Sequence, residues 1–149
     1  MNSAMQKKVT LQIIGNQKYP EGHEDQQEMM TAGTLYQRNG VFYVVYKDGI
    51  SETTGNKGTT TFLSVKDGLV GLNRKGEVNN TQEFKKDVLY KSIYTTCIGK
   101  IRLSVMPHLV DCDLTVCGGR ISLEYDLFMD DKLVSYNSLL LNIKEDFPQ

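Results

Sequence analysis

Between Met29 and Val65 the chain reads MMTAGTLYQRNGVFYVVYKDGISETTGNKGTTTFLSV, and this stretch constrains the fold more than any other. Its centre is Arg38-Asn39-Gly40, set between two alternating runs. An Asn-Gly pair tolerates the positive φ that a two-residue type I′ turn requires, so the flanking strands pair antiparallel. A Gly-rich connection and a Thr-rich strand follow. The same device of strand, tight turn and strand returns at Asp67-Gly68 and at Asp130-Asp131.

The remaining strands follow from alternation of apolar and polar residues. Lys8 to Ile14 sets Val9, Leu11 and Ile13 against Thr10 and Gln12. Gly15 to Asp25 is polar, holds Pro20 and Gly22, and reads as a loop. Gln26 to Gln37 is a strand interrupted by Gly33, a residue that marks a bulge or bend. Val41 to Lys47 places Phe42, Val44 and Tyr46 on one face. Gly58 to Lys66 groups Thr59, Thr61, Leu63 and Val65, and Leu69 to Arg74 groups Val70, Leu72 and Arg74. Glu77 to Lys86 and Val88 to Thr96 read as strands with weaker periodicity. Lys100 to Met106 is a strand that Pro107 ends, and His108 to Gly119 reads as a loop with room for one helical turn. Arg120 to Met129 turns Ile121, Leu123, Tyr125 and Leu127 inward, and Leu133 to Lys144 is the last strand before a tail at Phe147 to Gln149. Pro20, Pro107 and Pro148 all fall outside these strands, as the loss of a ladder donor demands. No helical pattern alternates with the strands, which argues against a parallel βαβ sheet. The pattern predicts an all-β, antiparallel up-and-down barrel of about eight to ten strands, because closure removes exposed edges. A two-sheet sandwich is the alternative.

At 149 residues the chain fits one domain, with a structured core over about 8–144. A formal net charge of −1 with scattered lysines and arginines gives no electrostatic footprint for nucleic acid or an anionic membrane. Neither a leader-like apolar run nor a stretch of about 20 apolar residues is present. The three cysteines, Cys97, Cys112 and Cys117, cannot all pair within one chain, so reduced thiols and a cytoplasmic setting are expected.

Taken in order, several short pieces resemble the YwiB-like family, a bacterial family of unknown function. They are Thr31-Ala32-Gly33, Arg38-Asn39-Gly40, Phe42-Tyr43 and Tyr46, then Glu52-Thr53-Thr54-Gly55 and Gly58-Thr59-Thr60-Thr61. Arg74, Gly76-Glu77-Val78-Asn79, Gly99, Gly118-Gly119 and Glu124-Tyr125-Asp126-Leu127 complete the set. The resemblance runs from about Lys8 to Ile143. It departs at Tyr94 to Gly99, where Thr96-Cys97-Ile98-Gly99 replaces the family's Thr-Pro-aromatic-Gly. It implies a calycin-type (lipocalin-like) barrel in a bacterial cytoplasmic protein, and it implies no activity, substrate or catalytic residue.

The residues themselves offer a ligand pocket. A barrel of this size is either filled by side chains or holds one small molecule. If Phe42, Val44, Leu63, Val70 and Leu72 point inward, then so do Tyr46, Thr61 and Arg74. An inward arginine must be paired or solvated. In one reading Arg74 stands at the mouth of an apolar cavity and takes a carboxylate or phosphate head group. The lining is then Tyr46, Thr61, Arg74 and Tyr125, with Glu52 and Glu77 near the mouth. In the other reading an Arg74–Glu77 bridge closes the barrel end over a packed core.

Four further patterns carry less. His108, Cys112 and Cys117, with Cys97, offer zinc-binding types, but H-x₃-C-x₄-C lacks the close Cys pairs of structural sites, and buried cysteines pack as small apolar groups. His23 lies among Glu21, Glu24 and Asp25 without a nucleophile elbow to serve, which reads as a solvated loop. Gly55 to Thr60 precedes a strand and so lacks the helix N-terminus of a phosphate loop. Tyr36, Tyr43 and Tyr46 offer stacking platforms for RNA, against which the near-neutral charge argues. The expectation is a non-catalytic protein without metal or cofactor that binds a small, partly apolar anionic molecule. The competing expectation is a packed barrel that contacts protein or RNA through its outer surface. Oligomeric state has no signature here.

Overall fold

The computed structural model of the protein describes residues 6–51 and 56–146, with backbone alone at 48–51 and 56–57. It is all-β, with ten antiparallel strands in a nearly closed barrel. They are β1 (Lys7–Lys18), β2 (Glu24–Arg38), β3 (Val41–Ser51), β4 (Asn56–Lys66) and β5 (Leu69–Gly76), followed by β6 (Asn80–Lys85), β7 (Tyr90–Thr96), β8 (Gly99–Thr115), β9 (Gly118–Met129) and β10 (Lys132–Glu145). The order across the sheet is β6-β5-β4-β3-β2-β1-β10-β9-β8-β7. Every strand but β6 and β7 therefore pairs with each of its neighbours in sequence, those two standing at the open ends of the sheet, and β1 with β10 joins the two ends of the chain. One continuous sheet replaces the two layers of the alternative sandwich. No helix among the described residues is long and apolar enough to cross a membrane.

The turns follow the local chemistry. Asn39 and Gly40 have φ of 53° and 79°, Asp67 and Gly68 of 49° and 77°, and Asp130 and Asp131 of 49° and 68°. Positive φ at both central residues defines the type I′ turn, whose twist matches that of the flanking strands.

At Gly33 the β2–β3 ladder ends, for Gly33↔Tyr46 is its last pair, while β2 continues against β1 alone as far as Glu24. The register has no bulge there; the strands part instead. A Cβ at Gly33 would lie 2.7 Å from the Val45 carbonyl oxygen and 2.8 Å from Leu11 Cδ1, so the crossing has room only for glycine.

The sequence reading needs two corrections. The loop expected at Gly15 to Asp25 shrinks to the turn Tyr19–His23, because Gly15 to Lys18 pairs with β10 on one side and β2 on the other. Strand pairing at the rim supplies the backbone hydrogen bonds, so polar side chains there do not end the strand. Likewise β8 does not stop at Pro107, and the residues expected as a loop from His108 onward extend it to Thr115. Pro107 sits where the register with β9 slips, between Pro107 and Leu109, a bulge being a place that accepts proline. β7 has already ended, its last pair being Tyr90↔Val105, and the Pro107 carbonyl accepts the Asp87 N–H at 2.9 Å. The side on which proline lacks a donor therefore carries no ladder. The strands expected at Glu77 to Lys86 and Val88 to Thr96 are trimmed to β6 and β7, and the tail at Phe147 to Gln149 lies outside the described residues.

The inward positions change character along the barrel. Val9 and Leu11 of β1, Leu35, Val44, Leu63, Val65, Val70, Ile121, Leu123, Leu141 and Ile143 pack together and are buried. Burial of each such side chain contributes about 1.5–3 kcal/mol. Further along the same strands the inward residues become Gly15 and Gln17 on β1, Tyr46 on β3, Thr61 and Thr59 on β4, Arg74 on β5, and Asn137 and Ser135 on β10. All these changes occur at one end, so one half of the barrel is a packed core and the other has polar groups set among apolar ones.

Candidate functional site

Tyr46, Thr61 and Arg74 lie in a single row across the wall. Tyr46 pairs with Thr61, Thr61 with Arg74, and Arg74 with Asn80 on β6. Because side chains on paired residues share a face, all four point inward. Gly33 begins the row opposite Tyr46.

Tyr125 belongs to the opposite side. It pairs with Asn137 across β9 and β10, and the Asn137 side chain hydrogen-bonds its phenol. Asn137 is oriented in turn by Ser135, whose Oγ donates to Asn137 Oδ1 at 2.7 Å within the buried wall. Phe84 meets the Tyr125 ring edge-on, with centroids 5.0 Å apart. Burial pushes the Tyr125 phenol above its ordinary pKa, while the Asn137 hydrogen bond and the Arg74 charge pull it down. Tyr125 and Arg74 therefore interact across the barrel interior.

These groups surround a cavity of about 550 Å³. Ile13, Leu72, Phe84, Leu127 and Leu139 form its apolar surface, and Tyr46, Arg74, Asn80, Tyr125 and Asn137 its polar one. A small set of polar groups on an apolar wall is the usual composition of a small-molecule site. A second hollow of about 540 Å³ adjoins it at the rim, the two sharing Asn16, Gln17, Asp25, Tyr125, Asn137 and Ser138. This mouth carries Glu24, Asp25, Glu124 and Asp126 against Lys18 and His108, and His108 Nε2 lies 2.8 Å from Asp126 Oδ2.

Three of the expected lining residues, Tyr46, Arg74 and Tyr125, thus meet at one cavity. Thr61 lies in the row but beneath its surface: it is 1% exposed, and its hydroxyl has no hydrogen-bond partner among the described residues. Glu77 is exposed in the β5–β6 turn and forms no part of the cavity wall. Glu52 lies outside the described residues. The sequence reading did not single out Asn80, Phe84 and Asn137. A signal existed for Asn137, since the inward positions of β10 run Ser135, Asn137, Leu139, Leu141 and Ile143, two polar residues at the head of an apolar series.

The other candidates separate. Strand β8 spreads His108 and Cys112 by about 13 Å at 3.3 Å per residue, where a loop would have let them converge. Among the described residues no group of three His, Cys, Asp or Glu side chains is placed to hold a metal ion. His23 is exposed, stacks on Tyr19 and lies 3.1 Å from Asp25 Oδ1. Tyr36 and Tyr43 stack on each other at 4.9 Å across β2 and β3, whereas Tyr46 turns inward. Gly55, in the connection compared with a phosphate loop, is outside the described residues, and Asn56 to Thr60 belong to β4.

A family model described as "Domain of unknown function (DUF1934)" matches residues 11–141. Among solved structures, the crystal structure of the ywiB protein from Bacillus subtilis is similar, with a TM-score of 0.86 at 20% sequence identity. The match covers 98% of this chain and 97% of that one. At that identity it speaks to the fold alone. No curated protein matches the chain.

Proposed function

The chain belongs to the DUF1934 family, the YwiB-like proteins of unknown function, and from the cavity we propose that it is a non-catalytic binding protein of calycin type, holding a small, partly apolar and anionic molecule inside the barrel. The observation that carries this reading is the meeting of Tyr46, Arg74 and Tyr125 on the wall of one apolar-floored cavity. The apolar surface favours a hydrocarbon or ring body through burial. Arg74 favours a carboxylate or phosphate through charge-assisted hydrogen bonding, and Tyr46, Asn80 and Tyr125 add donors around it. In the same proposal the protein is bacterial and cytoplasmic, in keeping with three unpaired cysteines. It needs no metal or cofactor.

The fluorescent probe 8-anilinonaphthalene-1-sulfonate, an apolar body with one anionic group, tests the reading. Saturable 1:1 binding to the wild type, lost in Arg74→Ala with the far-ultraviolet circular dichroism unchanged, is the expected result. Equal binding by the two folded proteins would remove Arg74 from the site.

A second reading rests on the stacked Tyr36–Tyr43 pair on the outer face. In it the barrel is a packed module that contacts protein or RNA through its surface, aromatic faces being platforms for bases. Association that survives Arg74→Ala but fails in Tyr36→Ala/Tyr43→Ala would favour it.

A further inference from the structure

β6 and β7 are the one pair of consecutive strands that share no ladder. They touch through the Asn79–Thr95 bridge, with backbone hydrogen bonds of 3.0 and 2.9 Å, and again at the turn through Lys85 and Val88. Between these points a side-chain contact replaces the ladder, Ser92 Oγ donating to Asn80 Oδ1 at 3.3 Å.

A crevice of about 470 Å³ lies over this seam. Its lining combines residues from both faces of the same strands. Arg74, Asn80, Tyr90 and Ser92 come from inward positions, and Lys75 and Lys91 from outward ones. The crevice is an open hollow on the barrel wall whose floor reaches inward-facing residues. Arg74 and Asn80 line both the crevice and the internal cavity.

The two approaches to the cavity differ in charge. The rim mouth carries Glu24, Asp25, Glu124 and Asp126, of which Glu24 is paired with Lys18 and Asp126 with His108, so carboxylates stay in excess there, whereas the seam crevice has Arg74, Lys75 and Lys91 and no acidic residue in its lining. Arg74 has an interaction of its own within the protein, and Lys75 and Lys91 add two further positive charges beside it. We infer that the β6–β7 seam is an anion-reading window: the ligand lies with its apolar body in the barrel and its carboxylate or phosphate group at the seam, beside Arg74 and within reach of Lys75 and Lys91. This rests on the cavity reading above and adds where the head group sits and which end it avoids. The carboxylates of the mouth repel an anion, and the seam attracts it. Lys75 and Lys91 are exposed, so their attraction is screened by salt.

The test pairs the anionic probe 8-anilinonaphthalene-1-sulfonate with the neutral N-phenyl-1-naphthylamine, against wild type and Lys75→Gln/Lys91→Gln. Both substitutions are on the surface and leave the core intact. The expected result is neutral-probe affinity unchanged and anionic-probe affinity weakened roughly five- to tenfold at low salt, the difference closing in about 0.5 M salt. Decanoate and decyl phosphate are expected to displace the anionic probe from the wild type, and the one that loses more affinity in the variant identifies the head group. If the variant binds the anionic probe as the wild type does, the window is wrong and the cavity stands. If the neutral probe fails to bind the wild type, the cavity reading falls and the window with it.

Discussion

Asn137 stands directly opposite Tyr125 in the β9–β10 ladder and holds its phenol, while Ser135 fixes the Asn137 amide from two residues away. This chain of contacts gives the cavity wall a defined polar group in place of a mobile one. It also makes Tyr125 a reporter of the cavity. Its phenol is raised above 10.0 by burial, against the opposing pull of Asn137 and Arg74. Absorbance titration at 295 nm is expected to show a late component that Tyr125→Phe removes and that Asn137→Ala moves later still. A titration curve unaltered by Tyr125→Phe would show that the phenol is not held in this way.

The same shift links folding to pH. A proton bound more tightly in the folded than in the unfolded chain stabilises the fold below the unfolded pKa, and that contribution is lost as pH rises through the folded value. Tyr125 and Cys112 both act in this direction, Cys112 being pushed from 9.0 to about 11 by burial first and by Asp111 second. Urea unfolding is therefore expected to give falling midpoints between pH 9 and pH 11, and a shallower fall in Cys112→Ala. Rising midpoints across that window would contradict the assignment.

Cys112 should also be slow to react. Cys97 and Cys117 are exposed in turns, whereas Cys112 is half-buried against the core and keeps its proton. At pH 8, Ellman's reagent is expected to modify two thiols quickly and the third only with unfolding. Three equally fast thiols would mean that β8 does not pack as described.

Gly33 has no space for a side chain, since a Cβ would press on the Val45 carbonyl oxygen and on Leu11. Gly33→Ala is expected to cost about 1–3 kcal/mol in urea unfolding, the range of overpacked sites. The same substitution at Gly40 meets no neighbouring atom and is penalised only by its φ of 79°. A neutral Gly33→Ala would place the β2–β3 divergence elsewhere.

Phe84 is 1% exposed and braces Tyr125, whereas Ile98 is 93% exposed at the tip of the β7–β8 turn. Phe84→Ala is expected to cost about 3–5 kcal/mol, and Ile98→Ser to stay within about 0.5 kcal/mol. Comparable losses at the two sites would show that Ile98 is covered in solution.

Much of this architecture was written in local chemistry. The Asn39-Gly40 and Asp67-Gly68 turns announced their hairpins, and the inward set Phe42, Val44 and Tyr46 followed from period two alone. From there Thr61 and Arg74 fell into one row with Tyr46, because alternation on paired strands preserves the face. Pro107 misled because a proline is read against a central strand, and its tolerance depends on where β7 ends, a fact of tertiary structure. The polar rim from Gly15 to Asp25 misled for a related reason: ladder partners on both sides hold a strand that its own residues do not favour. Asn80 lay hidden because a polar residue at an inward position resembles noise in the pattern until its partner strand is known.

The most direct test of the central claim is the native mass of freshly purified protein compared with its denatured mass. The account predicts an added small-molecule mass on the native wild type, released on denaturation and missing from Arg74→Ala. A native mass equal to that of the bare polypeptide, in the wild type as in the variant, would contradict it.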